Sequence, residues 1–296
     1  MAPTKPFLMI FDFDMSLIDD DCDLVFMKEL VPDFGEAIVK RYQNEGGVWT
    51  DYVDEVAQEV ARRGFGEQDI LGALKKARLH PSTADAIRTA GEAGADIVIC
   101  SDANTYFIEA ILRHHDLFRY IKQIITNSAY FSISSTPPRL IISRRTLASD
   151  PPHGCDLQTP SCGLNLCKGK EITRLVGPAS WQWNWSRTER GKTQGSPWDS
   201  PSELSQSSTS QSPYGKIIYV GDGRNDFCPI SLLSERDIGM VRKGQKLEKM
   251  VDGDSKSKIA ARVQKWQDGN DLLAVVNREI AEWKTAGVGS RASAVI

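Results

Sequence analysis

The sequence predicts an α/β fold, a Rossmann-like parallel sheet with a small helical cap inserted after the first strand. Three observations carry the prediction. Apolar runs at 7–11, 95–100 and 216–220 end in Asp12-Phe13-Asp14-Met15-Ser16, Ser101-Asp102-Ala103-Asn104 and Gly221-Asp222-Gly223-Arg224-Asn225-Asp226. In open α/β sheets ligands bind beyond the carboxyl ends of strands, so each run reads as a strand delivering residues to one site. Between the first two runs, apolar residues recur at the three- and four-residue spacing of helices.

The first run has no period-2 polarity, which suits a strand covered on both faces. Asp12 and Asp14 are two residues apart, so on a continuing strand their side chains point the same way. Such a pair repels unless a cation bridges it. Oxygen-only donors suit Mg²⁺, which takes one or two protein carboxylates and leaves its other positions to water and phosphate. An isolated Asp-x-Asp is more often a strand-end turn, so its weight comes from the motifs further along the chain. Asp19 to Asp21 read as an acidic turn capping the next helix.

Leu24, Val25, Met27 and Leu30, then Ile38, Val39 and Tyr42, then Val53, Val56 and Val60, then Ile70, Leu71 and Leu74 mark successive helices. Gly46-Gly47 and Gly64-Phe65-Gly66 separate them. A helical block between two strands of the sheet is a cap that can close over a site and exclude water, and it takes residues 24–79. Tyr42, Trp49 and Tyr52 read as its core. After a helix at 82–92 and the second strand, Ser101 can donate to phosphate with the amides of a new helix N-terminus. His114 and His115 have no partner at metal-ligand spacing and read as structural or solvated.

A third strand is expected at 121–127 and another apolar stretch at 140–142. His153, Cys155, Cys162 and Cys167 lack the paired C-x₂-C spacing of a zinc ribbon, so a zinc knuckle is the lesser reading. Lys168 or Lys170, opening a helix at 171–176, brings positive charge toward a phosphate. Residues 177–214 are Ser-, Gln- and Gly-rich with aperiodic tryptophans, and read as a disordered insertion, genuine or translated from an intron. In the third motif Asp222 supplies a further carboxylate and Asp226 a group to orient the shell. A strand at 237–241, an amphipathic helix over 259–283 and a frayed tail at 287–296 complete the chain. The α/β core therefore takes residues 1–23, 80–176 and 215–286.

At 296 residues the chain is long enough for such a core and cap. A net charge of -3 and a pI near 5.9 provide no basic field for nucleic acid or anionic membrane, so phosphate binding must be local. The N-terminal apolar run is too short for a signal peptide, and no stretch approaches the ~18 apolar residues of a membrane helix. The expectation is a soluble, cytoplasmic protein with its six cysteines mostly reduced and no nucleic-acid, membrane or obligate protein partner.

Taken in order, Asp12-Phe13-Asp14-Met15-Ser16, Ser101, Lys168 and Gly221 to Asp226 resemble the motifs of the haloacid-dehalogenase-like hydrolases. The phosphoethanolamine/phosphocholine phosphatase group is resembled more closely still. Ser101-Asp102-Ala103-Asn104-Thr105, Asn165-Leu166-Cys167-Lys168 and the run from Tyr219 to Pro229 carry that likeness, over about 7–175 and 216–270. The resemblance implies a Mg²⁺-dependent phosphomonoesterase that hydrolyses a small phosphorylated metabolite, an amino-alcohol phosphate, through an aspartyl-phosphate on Asp12. Asp14 would be general acid and then base. Mg²⁺ would be held by Asp12, the Asp14 backbone carbonyl and Asp222. Ser101 and Lys168 would bind phosphoryl oxygens, the alignment favouring Lys168 over Lys170. Asp23 and Asp102 match positions that contact the substrate amine, and Ser16 stands where Thr is usual. The same chemistry on pyridoxal phosphate, thiamine phosphate or phosphoserine, or a weakened binding or regulatory homologue, are the alternatives.

Overall fold

The computed structural model describes residues 3–146, 165–176, 213–253 and 259–286. Among the described residues there are seven strands: β1 (Lys5–Phe11), β2 (Asp96–Asn104), β3 (Ile121–Ser132), β4 (Arg139–Ser143), β5 (Tyr214–Gly221), β6 (Ile238–Arg242) and β7 (Arg262–Trp266). They form one sheet in the order β4-β3-β2-β1-β5-β6-β7, parallel throughout except for the antiparallel β3–β4 pair. β1 lies at the centre. Phe7, Met9 and Phe11 enter one hydrophobic cluster, Leu8 and Ile10 the other, and all five are at most 1% exposed. Burial on both faces is the physical reason for the unbroken apolar run, at about 1.5–3 kcal/mol for each large side chain.

Four helices, α1 (Cys22–Leu30), α2 (Pro32–Glu45), α3 (Trp49–Arg62) and α4 (Glu67–Leu74), lie between β1 and β2 in the chain. Gly46, Gly47 and Gly64 have φ of 70°, 102° and 88°, the left-handed backbone that glycine adopts without steric cost, so the expected breaks fall between α2, α3 and α4. Val56, Val60, Ile70 and Leu74 of this block join the cluster of Phe7, Met9 and Phe11. α3 is fastened to the β3–β4 edge: Asp54 Oδ1 accepts from Ile142 N and Arg139 Nη1, each at 2.9 Å, and Asp51 pairs with Arg144.

The remaining helices are α5 (Pro81–Glu92), α6 (Thr105–His114), α7 (Lys168–Val176), α8 (Phe227–Leu232), α9 (Lys246–Asp252) and α10 (Gly269–Thr285). α5 and α10 pack together and contribute to the first cluster; α7, α8 and α9 cover the opposite face through Ile172, Ile230 and Leu247. No helix among the described residues is long and apolar enough to cross a membrane.

Two expectations are corrected. The amphipathic helix placed over 259–283 is a strand, β7, followed by α10. Trp266 pairs with Arg242 of β6 and is 1% exposed, and Asp268 caps α10 by accepting from Asn270 N at 2.8 Å. β5 begins at Tyr214, inside the segment read as an insertion, because Tyr214 is buried, pairs with Lys5 and donates its hydroxyl to Asp96 at 2.7 Å. Residues 177–212, the tail at 287–296, and His153, Cys155 and Cys162 lie outside the described residues.

Candidate active site

Strand register builds the site. Phe11 pairs with both Ile99 and Val220, and Gly221 pairs with Val241, so the carboxyl ends of β1 and β5 lie at one level beside the second half of β2. Asp12 and Asp222 come directly after β1 and β5, Ser101 and Asp102 lie in the last part of β2, and the four meet although they are far apart in the chain. They line a cavity of about 200 Å³ with Asp14, Asp21, Asp23 and Trp49. Six aspartates therefore face one small space.

Asp12 and Asp14 share this cavity, but not by strand alternation. The chain leaves the sheet at Phe11 and residues Phe13–Leu17 form one wide turn, closed by Leu17 N to Asp12 O (3.2 Å) and Ile18 N to Phe13 O (3.0 Å). Met15 sits inside it at φ 54°, ψ 10°, a left-handed conformation that costs a non-glycine residue roughly 1–2 kcal/mol. This turn re-aims Asp14, whose Oδ1 accepts from Cys22 N at 2.8 Å. The expectation of a continuing strand fails here.

Asp12 is 7% exposed, and its Oδ1 takes both Phe13 N and Lys168 Nζ, each at 2.7 Å. Lys168, 1% exposed, also donates to Asp226 Oδ1 at 2.8 Å, whereas Lys170 is exposed. Burial works against the Lys168 charge, but Asp12, Asp226 and Asp102 outweigh it and hold the ammonium protonated. Burial, reinforced by the charge of Asp226, pushes Asp12 well above the usual carboxylate range. Burial, then Asp21 and Asp23, does the same to Asp14.

The donor set suits a hard cation. Single carboxylate oxygens of Asp12, Asp222 and Asp226 lie within 4.8 Å of one another, and all are oxygen ligands. Asp226 is already saturated: Oδ1 takes Lys168 Nζ and the Tyr219 hydroxyl (2.6 Å), and Oδ2 takes Asp222 N (3.0 Å) and Gly223 N (2.8 Å). It therefore shapes the loop that carries Asp222. Asp222, pushed up to about 6 by burial and then by Asp226, accepts from Ser16 Oγ at 3.2 Å. A divalent cation between Asp12 and Asp222 would relieve that repulsion.

Ser101, 1% exposed, lines the cavity, and its Oγ accepts from Ala103 N at 3.2 Å. Asn225 Nδ2 donates to Asp102 Oδ2 at 2.8 Å, tying the end of β2 to the segment after β5. Asp23 Oδ2 accepts from the Trp49 indole N–H at 2.8 Å. Burial, then Asp21, pushes Asp23 up to about 8. Asp21 caps α1 by accepting from Leu24 N at 3.0 Å, as expected of the acidic turn, yet it also lines the cavity.

Two contributions escaped the sequence. Trp49, read as cap core, reaches the cavity: it packs on Tyr42 and Tyr52, but its position at the first turn of α3 directs its N–H to Asp23. Asn127 Nδ2 donates to Asp102 O (2.6 Å) and Ala103 O (2.8 Å), while Asn165 Nδ2 reaches Asn127 Oδ1 (2.6 Å) and Thr50 Oγ1 (3.2 Å). Asn165 lies within a recognised motif; Asn127 carries no signal beyond a polar residue at the end of an expected strand.

Comparisons with known proteins identify the family. The model of the family described as Putative Phosphatase matches residues 7–185 and 202–280. A thiamine phosphate phosphatase-like protein of Arabidopsis thaliana is 31% identical, covering 91% of this chain and 93% of its own. The Homo sapiens phosphoethanolamine/phosphocholine phosphatase is 25% identical over 90% of this chain and 86% of its own. A crystal structure of phosphoserine phosphatase from T. onnurineus superposes with a TM-score of 0.50 at 15% identity, covering 93% of this chain and 97% of that one, a likeness of fold. The chain belongs to the Putative Phosphatase family, within the haloacid-dehalogenase-like phosphatases.

Proposed function

We propose that this protein is a Mg²⁺-dependent phosphomonoesterase for a small cationic phosphate ester, foremost an amino-alcohol phosphate, working through an aspartyl-phosphate. One observation carries the reading: the buried Lys168 lies against Asp12, one of six aspartates that line the cavity. The Asp12 and Lys168 side thus suits a phosphoryl group, and the further carboxyl groups of Asp21, Asp23 and Asp102 suit a cation.

Asp12 is the nucleophile. Its Oδ1 is held by Phe13 N and Lys168, which leaves Oδ2 to attack phosphorus as the ester P–O bond breaks. Asp14 gives its proton to the departing alkoxide; burial, then the charges of Asp21 and Asp23, favours its protonated form. Asp14 then takes a proton from water, whose oxygen attacks phosphorus and releases phosphate and Asp12. Lys168 and Ser101 bind phosphoryl oxygens. Asp12, Asp222 and the Asp14 carbonyl would hold Mg²⁺, which supplies charge neutralisation at the phosphoryl oxygens.

A carboxylate-bearing ester such as phosphoserine would meet Asp21, Asp23 and Asp102 with like charge. Thiamine phosphate is the second reading, favoured by the Trp49 ring at the cavity wall, since an aromatic face attracts a permanent cation. Phosphate release is to be measured from phosphoethanolamine, phosphocholine, thiamine phosphate, pyridoxal phosphate and phosphoserine, with Mg²⁺ and with EDTA, for wild type and Asp12→Asn. Metal-dependent turnover led by cationic esters and lost in the variant is expected. Equal turnover of phosphoserine would remove the cation reading, and turnover in Asp12→Asn the nucleophile assignment.

A further inference from the structure

Arg242, the last residue of β6, belongs to none of the motifs that mark the site, yet it reaches the turn that aims Asp14. Its Nη1 donates to Met15 O at 2.5 Å, its Nη2 to Asp19 Oδ1 at 2.7 Å, and its guanidinium lies 4.9 Å over the Trp266 ring. The side chain is 13% exposed. Met15 is the left-handed residue that follows Asp14, and Asp19 lies just past the same turn. Two further bonds close the loop: Met15 N to Asp20 O at 3.0 Å and Asp19 N to Arg78 O at 2.8 Å.

A left-handed methionine persists only where its surroundings over-determine it. A planar guanidinium stacked on an aromatic ring presents its donors in a fixed fork, which a flexible ammonium does not. We propose that Arg242 is a positioning residue for proton transfer: by clamping Met15 O and Asp19 from β6, it holds the turn that directs the Asp14 carboxyl at the leaving oxygen. This rests on Asp14 being the general acid. The acid matters most for alkyl esters, whose alkoxide needs a proton as it departs, and least for p-nitrophenyl phosphate, whose phenolate leaves as a stable anion.

The experiment measures kcat/KM, which covers steps through the first phosphoryl transfer, for phosphoethanolamine and p-nitrophenyl phosphate in wild type, Asp14→Asn, Arg242→Gln, Arg242→Lys and Asp19→Ala. Arg242→Gln is expected to lose about 10–100-fold on the alkyl ester and under about 3-fold on the aryl ester. Arg242→Lys should recover part of the loss, and Asp19→Ala should show a smaller loss with the same ester dependence while leaving Arg242 in place. Equal losses on both esters, or none, in Arg242→Gln and Asp19→Ala would overturn the proposal, because a merely structural role lowers both alike. If Asp14→Asn itself shows no ester dependence, the general-acid assignment fails, and the proposal with it.

Discussion

The two ends of the central sheet treat buried carboxylates in opposite ways. At the amino end, Asp96 opens β2 and accepts from Lys5, Lys122 and the Tyr214 hydroxyl; Glu279 of α10 takes Lys216, Arg262 and Arg278. Despite partial burial, both are held below their ordinary range by these cations and hydrogen bonds. At the carboxyl end six aspartates line one cavity, and Lys168 beneath them is paired to Asp12 and Asp226. Asp12, Asp14, Asp23 and Asp102 there are pushed upward, burial being the largest cause for each. Carboxylates at the amino end are satisfied by the fold. Those lining the cavity at the carboxyl end are crowded against one another with Lys168 as the buried cation beside them, whereas Asp226 is saturated by the fold.

The largest expected effects break the comparison at the carboxyl end. Asp12→Asn should lower kcat by at least about 10³-fold while the protein stays folded, checked by phosphate release beside circular dichroism. Lys168→Met should cost roughly 10²–10³-fold in kcat/KM, because it removes the buried cation from the phosphoryl site.

At the amino end the loss should appear in stability. Asp96→Asn is expected to cost about 1–3 kcal/mol at pH 7 with kcat unchanged, measured by denaturant unfolding. The folded pKa of Asp96 lies below the unfolded value near 4, so its stabilisation is present above about pH 4 and lost as pH falls through the folded value. The gap between wild type and variant should therefore close in acid.

Asp23 sharpens the contrast with the opposite sign. Its folded pKa, about 8, lies above the unfolded value near 4, so the folded state binds the proton more tightly and stability falls as pH rises between the two. Asp23→Asn should raise Tm by about 2–4 °C at pH 8 and by less at pH 5, while raising KM for amine esters. The smallest change is expected from Ser16→Thr, which keeps the hydroxyl that reaches Asp222 and should alter kcat by less than about 2-fold.

What the chain alone determined is the order of its chemistry. Apolar strands at 7–11, 95–100 and 216–220, each followed by polar site residues, specify a parallel sheet with its site at the carboxyl ends, because strand burial and ligand placement are both written in local residue pattern. Asp12, Asp14, Ser101 and Asp222 stand out as candidates for that reason, and Lys168 only through the order of the motifs. Long-range contact decided the rest. Lys168 was separated from Lys170 only when helix α7 turned one toward Asp12 and the other to solvent. Trp49 looked like a core aromatic until α3 brought its N–H to Asp23. Arg242 lies outside the strand expected at 237–241 and in none of the motifs, yet β6 places it beside Met15, 227 positions earlier in the chain. Hydrogen-bond partners far apart in sequence leave no periodic trace, and which side chains meet across a sheet is fixed by packing and register.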